Sequence, residues 1–237
     1  MRDAHLRVTP LGVELLDDPA ADPASVIRSL GNVARANRWF GGAAAVLHGL
    51  GRVLRGAARD RPLTLLDLGT GAGDLPRRAV RWAGRRGYRL RPVGLELSRT
   101  AAAMAVRAGV PCAVGSAGLP PVRAKSVDIV LLSQVAHHFT PDSTVRLFRS
   151  CDALARLGVV VADLRRGRMA PIAFWVGARA LRFDQATVAD GITSLRRGYT
   201  AREMRALLAE AGVRGRVSRR PGYRLVATWR TGEEGET

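Results

Sequence analysis

Leu63-Thr64-Leu65-Leu66-Asp67-Leu68-Gly69-Thr70-Gly71-Ala72-Gly73-Asp74 organises everything around it. Residues 63–68 form a short apolar run, which reads as a buried strand, and they lead directly into a glycine turn. Leu75, Ala79, Trp82 and Ala83 then share one face of a helix, with Arg77, Arg78, Arg81 and Arg85 on the other side. Glycines serve such a strand-to-helix turn because a Cβ there would collide with a ligand or forbid a positive φ. Two nucleotide-binding patterns are disfavoured. The last glycine of a dinucleotide fingerprint would fall at Asp74, and no Gly-Lys-Ser/Thr follows as a phosphate loop requires.

The alternation continues outward. A second strand is expected over 88–97, ending near Glu96, and Ser98 can cap an alanine-rich helix that Gly109 stops. Further strands are expected at 110–114, 127–132 and 158–164, with a helix over 141–157; this rhythm predicts a mostly parallel sheet. Residues 165–199 break it with the apolar run PIAFWVGARALRF and a polar loop, and read as an insertion. Thr200 and Glu203 form a capping box for a helix over 200–211. Strands over 213–219 and 223–230 are joined by the hairpin signal Arg220-Pro221-Gly222. Upstream, helices over 25–40 and 43–54, separated by Gly41-Gly42, predict a helical cap. The expected organisation is a cap at 1–61, a domain at 62–231 carrying the insertion at 165–199, and a frayed tail at 232–237.

The chain has 237 residues, 47% hydrophobic and 24% charged, enough for a substantial core. Uncharged runs such as 169–178 fall short of the ~18 apolar residues a membrane span needs. The N-terminal stretch lacks the unbroken apolar core of a signal peptide. Cys112 and Cys151 are too few for a disulfide scaffold and have no partner at metal-clip spacing, so no metal and a reduced, soluble, cytoplasmic protein are expected. The net charge of +18 raises nucleic acid as a partner. Lys125 is the only lysine, however, and the arginines are spread along the whole chain. That pattern reads as codon bias and solvated faces. Glu96, 23 residues past Gly73, can accept hydrogen bonds from ribose hydroxyls and would repel a 2′-phosphate.

LLDLGTGAGDLP (65–76), VGLELS (93–98) and GSAGLPPVRAKSVDIVLLSQVAHHF (115–139) resemble the successive motifs of class I S-adenosylmethionine-dependent methyltransferases. The DLGTGAGDL form and the His-His-Phe are similar to quinone-biosynthesis-type and other bacterial small-molecule O-methyltransferases. ARANRWFGG (34–42) resembles a branch tied to polyketide or quinone metabolism. The resemblance implies a Rossmann-like seven-stranded, mostly parallel sheet with a final antiparallel hairpin strand. It implies S-adenosyl-L-methionine as cofactor, with Asp67, Gly69, Thr70, Gly71 and Gly73 along its methionine and ribose side. Glu96 would hold the ribose, Leu97 would lie against the adenine, and Ser116 with Ala117 would stand where the family often has an adenine-contacting Asp. Ser133 and Gln134 would pass the amino-acid end.

The expected reaction is O-methylation of a small phenolic, enolic or quinol acceptor, with His137 or His138 as general base. Acceptor contacts are expected from Trp39, Phe40, Phe174, Trp175, Phe183, Asp163, Arg165 and Tyr199. Arg165 can pair with an acidic substrate, or Asp163 can orient a histidine. Ser133-Gln134-Val135-Ala136 lacks the Asn/Asp-Pro-Pro-aromatic tetrad of amino-methylating DNA enzymes, which weighs against nucleic-acid bases. An RNA or protein methyltransferase using the basic surface and a non-catalytic scaffold are the rival readings. A monomer or homodimer is expected, and Met169–Phe183 offers a peripheral membrane contact.

Overall fold

The computed structural model describes residues 14–18 and 20–232. Most of the stretch read for a signal peptide, and residues 233–237 of the tail, lie outside the described residues. Seven strands form one sheet: β1 (Leu63–Leu68), β2 (Leu90–Glu96), β3 (Cys112–Val114), β4 (Val127–Ser133), β5 (Ala155–Leu164), β6 (Arg216–Arg220) and β7 (Arg224–Arg230). Their order is β3-β2-β1-β4-β5-β7-β6. β1 to β5 pair in parallel, and β7 runs antiparallel between β5 and β6. This is the Rossmann-like sheet with its antiparallel hairpin strand.

The two faces of the sheet follow the period-two rule. Leu66, Val130, Leu132, Val159 and Val161 face α5 (Pro141–Leu154) and α8 (Ala201–Glu210), packing with Phe148 and Met204. Leu65, Ile129, Leu131 and Val160 face α2 (Gly42–Val53) and α3 (Asp74–Gly84). Every residue of β4 is buried, which explains the apolar run over 129–132, and the buried Asp128 is paired with Arg61. α1 (Pro23–Trp39) lies against α4 (Arg99–Arg107) through Val26, Leu30 and Ala101. The buried side of α2, including Val46, Leu50 and Val53, belongs to the same core as β1 and β4.

Local signals acted as the sequence implies at several ends. Ser98 accepts from Ala101 N, and Thr200 and Glu203 form the reciprocal capping box. β5 starts at Ala155, three residues before the expected 158, because α5 stops at Leu154. The larger difference lies in 165–199. The apolar run is α6 (Ala170–Ala180), and the segment read as a polar loop is α7 (Gln185–Arg197), N-capped by Asp184, whose carboxylate accepts from Thr187 N at 2.9 Å. α7 buries Thr187, Ser194 and Arg197 beside a single leucine, Leu195, so its inward face carries little apolar periodicity.

Candidate active site

Two cavities open at the carboxyl ends of the parallel strands, where open α/β sheets bind ligands. One has a volume of about 420 Å³ and the other about 180 Å³. They share Leu16, Val33, Gln134 and His138 as common wall.

The smaller cavity is built on the glycine turn. Gly69, Gly71 and Gly73 take φ of +76°, +54° and +75°, values that exclude most side chains. Glu96 ends β2 beside this turn. Its Oε2 accepts from Gly71 N at 2.8 Å and its Oε1 from Ser98 N at 3.1 Å. Gly69, Thr70, Gly71, Glu96, Leu97, Ser116, Ala117, Ser133 and Gln134 all line this cavity. Asp67 and Gly73 do not line it; both are buried in the base of the turn. Asp67 Oδ2 accepts from Thr70 Oγ1 at 2.8 Å, while Oδ1 is buried with no partner among the described residues. Burial, with help from the nearby Asp74 and Glu96 charges, pushes the Asp67 carboxyl up to about 7.

A hydrogen-bonded chain crosses the junction of the cavities. Asn37 Nδ2 donates to Asp74 at 3.3 Å, Gln134 Nε2 donates to Asn37 at 2.7 Å, and Arg224 Nη1 donates to Gln134 at 2.8 Å. Gln134 sits at φ +58°, a conformation uncommon for a non-glycine residue and held here by these partners. Asp74 is the first residue of α3, with Gly73 as its N-cap, and its carboxylate, held by Asn37, lines the smaller cavity.

His137 and His138 form a single 3-10 turn after β4. His137 Nδ1 lies 2.6 Å from Asp163 Oδ1, and its backbone N donates to Asp163 Oδ2 at 3.2 Å. Burial alone would raise the Asp163 carboxyl, but the His137 charge and hydrogen bond hold it below the usual carboxylate range. With Nδ1 engaged, His137 presents Nε2, buried and without a partner among the described residues, and the residue lines the larger cavity. Asp163 itself lines neither cavity and meets the larger one only through its contact with His137. The His138 ring lies 4.2 Å from that of His137, centre to centre, and borders both cavities.

A strap from the N-terminal segment closes over this point. His138 Nδ1 is 2.9 Å from Asp17 Oδ1. Glu14 accepts from Ser194 Oγ at 2.7 Å and from Arg197 Nη1 at 3.0 Å, while Leu15 N donates to Asp190 at 3.2 Å. Burial works against a charged His138, yet Asp17 and Glu14 leave it raised above the ordinary histidine range. Glu14, His137 and His138 each bring one potential ligand atom within 4.8 Å of the others. Glu14 is at the same time ion-paired with Arg197 Nη1 at 3.0 Å. No sequence pattern pointed to Glu14, Asp17 or Arg197, whose pairing spans about 180 positions.

Trp39, Phe40, Phe174, Phe183 and Tyr223 line the larger cavity, with Arg165, Arg220 and Arg224. Phe40 meets Phe174 and Phe183 edge-on at 5.7 and 6.3 Å, and the Arg165 guanidinium lies 5.0 Å from the Tyr223 ring centre. The hairpin tip closes one end. A Cβ on Gly222 would stand 2.2 Å from Phe40 O, and one on Gly41 2.5 Å from Pro221 O, so backbone rests directly on backbone. Three expected acceptor contacts are corrected: Asp163, which lines neither cavity, Trp175 and Tyr199. Trp175 lines neither cavity, because it sits on the outer face of α6. Tyr199 is buried, its hydroxyl 2.9 Å from Thr144 Oγ1, and it anchors α5 instead.

Residues 66–162 match a family described as a methyltransferase domain. Comparison with curated proteins gives no match. Human N-acetylserotonin methyltransferase, solved with S-adenosylmethionine, aligns at TM-score 0.61 and 14% identity, covering 89% of this chain and 57% of that one. NcsB1, an O-methyltransferase from neocarzinostatin biosynthesis in complex with S-adenosylmethionine and 2-hydroxy-5-methyl naphthoic acid, aligns at 0.60 and 18%, covering 94% and 62%. The chain thus spans less than two thirds of either protein. Magnesium protoporphyrin IX methyltransferase from Synechocystis PCC 6803, with bound S-adenosylhomocysteine, aligns at 0.56 and 12%, covering 88% and 100%. Identities this low speak for the fold, and the matched stretch, under half of the chain, is similar to a methyltransferase domain.

Proposed function

We propose that the protein methylates an oxygen of a small phenolic, enolic or quinol acceptor seated in the larger cavity, with His137 as the general base. The observation that carries this reading is the buried, unpartnered His137 Nε2 at that cavity, backed by Asp163 at 2.6 Å from Nδ1. A volume of about 420 Å³ with aromatic walls suits a small, flat molecule.

The residues of the smaller cavity suit S-adenosylmethionine. Glu96 offers a carboxylate, already oriented by two backbone N–H groups, to vicinal ribose hydroxyls. Leu97 gives an apolar surface for adenine, Ser116 a hydroxyl for its edge, and Gly69, Thr70 and Gly71 a close backbone approach. Ser133 and Gln134 stand toward the amino-acid end, and Asp67 braces the turn from below through Thr70. When bound, the cofactor supplies a methyl group already activated by its sulfonium. The protein's part is then to align an acceptor oxygen, exclude water and take up a proton. Alignment supplies effective molarities of ~10⁵ M or more, and a positioned base about 10²–10⁴-fold. The Asp163 carboxylate keeps the His137 proton on Nδ1 and steadies the imidazolium that forms when Nε2 accepts one.

The test is calorimetric binding of S-adenosylhomocysteine and NAD to the wild type and to Glu96→Ala. Losing a desolvated ribose pair costs roughly ten- to a hundredfold in S-adenosylhomocysteine affinity. NAD binding in its place, or undiminished binding by the variant, overturns this assignment of the smaller cavity.

A further inference from the structure

α6 is apolar on both sides. Ala170 and Ala178 are buried, Phe174 lines the larger cavity, and Gly177 lies under the Phe40 ring. Yet Met169, Ile172, Trp175 and Val176 remain 57%, 55%, 48% and 56% exposed. At ~100° per residue these four occupy about a third of the helix circumference, one continuous outward stripe. A helix apolar all round belongs in a core or against a non-aqueous phase, and this one has a core on one side only. The other exposed large apolar residues, such as Val93, Val106 and Leu119, stand on separate elements.

We propose that this face of α6 seats on an anionic lipid surface, with the acceptor cavity directly behind it. Charge complementarity selects this occupant. The chain carries +18, and Arg168, Arg179 and Arg182 are exposed around the stripe, with the Arg179 guanidinium 5.6 Å from the Trp175 ring centre. Apolar side chains with a tryptophan, bordered by arginines, suit the boundary between acyl chains and headgroups. A second copy is disfavoured on two grounds. Four half-exposed side chains offer on the order of 400 Å², against about 800 Å² per partner in a stable interface, and each copy brings the same positive charge. The contact is peripheral: α6 has 11 residues, and no helix among the described residues is long and apolar enough to cross a membrane. The opposite side of the same helix walls the larger cavity, so a lipophilic acceptor leaving the bilayer would travel only the thickness of one helix.

Sedimentation with vesicles tests this without any turnover, so it stands or falls separately from the methyl-transfer reading. Wild type should bind phosphatidylcholine vesicles containing phosphatidylglycerol and bind pure phosphatidylcholine weakly. Replacing Ile172 and Val176 together by Glu should weaken binding to the anionic vesicles at least ~10-fold. Trp175→Gln, a milder change, should weaken it by a smaller factor. Arg77→Gln with Arg81→Gln, on the exposed side of α3, should leave it within about threefold while removing two charges. Retained S-adenosylhomocysteine binding certifies that each variant is folded. Three results overturn the proposal: no binding to either vesicle, binding that ignores the α6 variants but follows the α3 charges, or a wild-type dimer that the α6 variants dissociate.

Discussion

Asp163→Asn removes one charge at the point where the proposed chemistry depends on it. The carboxylate has no exposed surface and accepts three hydrogen bonds. Oδ1 takes His137 Nδ1 at 2.6 Å and Leu164 N at 2.7 Å, and Oδ2 takes His137 N at 3.2 Å. An amide cannot satisfy this set. With its oxygen at the Oδ1 position, its NH₂ faces the His137 backbone N–H. Turned the other way, the NH₂ faces Leu164 N–H and forces the His137 proton onto Nε2, where it disables the base. Either arrangement sets buried donor against donor, costing about 1–3 kcal/mol. Arg224, buried nearby, also loses the favourable influence of the Asp163 charge. Urea unfolding measures that loss, and the ¹⁵N shifts of the ring report the tautomer without any acceptor. Transfer to the best phenolic acceptor of a panel should fall ~10²–10⁴-fold, with S-adenosylhomocysteine affinity within about twofold because Asp163 does not line the smaller cavity. A folded variant that keeps its rate to within threefold, or a wild-type ring protonated on Nε2, refutes the reasoning.

Asp67→Asn should reverse a pH dependence. Because burial raises the folded carboxyl from 3.8 to about 7, the wild type loses stability as pH climbs through that window. At roughly 1.4 kcal/mol per pH unit the variant should gain up to about 4 kcal/mol on the wild type between pH 4 and pH 8. Parallel curves of urea midpoint against pH for the two proteins would contradict this. Gly222→Ala must place a Cβ 2.2 Å from Phe40 O at a φ of +75°. It should cost at least ~1–3 kcal/mol in thermal or urea unfolding while sparing S-adenosylhomocysteine binding; unchanged stability would mean that the hairpin tip is not seated on Phe40.

The parts of the fold legible in the sequence are those specified by neighbours. The apolar run of β1, the glycine turn, Ser98 and the Thr200–Glu203 box each act within a few residues, and their elements stand where those signals imply. α7 reads as a loop in the sequence because its inward positions, Ser194 and Arg197, are polar residues paired with Glu14, about 180 positions away. Its one local signal was the Asp184–Thr187 cap. The same distance hid the strap: nothing near Glu14 or Asp17 in the chain marks them as neighbours of His138. His137 and Asp163 were each legible as strand-end residues, and the pairing of β4 with β5 brings them together. Trp175 misled because an aromatic residue in an apolar run is compatible with either face of a helix, and only the packing of Phe174 and Gly177 against Phe40 decides which.

The backbone contact between Gly41 and Gly222 also bears on the order in which the molecule is assembled. Apart from Leu16 and Asp17 on the strap, the smaller cavity draws on residues 30–139, within reach of one another before roughly the last two fifths of the chain is made. The larger cavity needs the hairpin tip at 221–222 laid on the turn at 40–41, and the strap at 14–17 tied to α7. These contacts close loops of about 180 residues, among the most costly in entropy and the slowest to form. In a chain emerging from the ribosome N-terminus first, the two cavities therefore mature at different times. On the proposed function, a nascent protein can hold its donor site well before it has anywhere to put an acceptor.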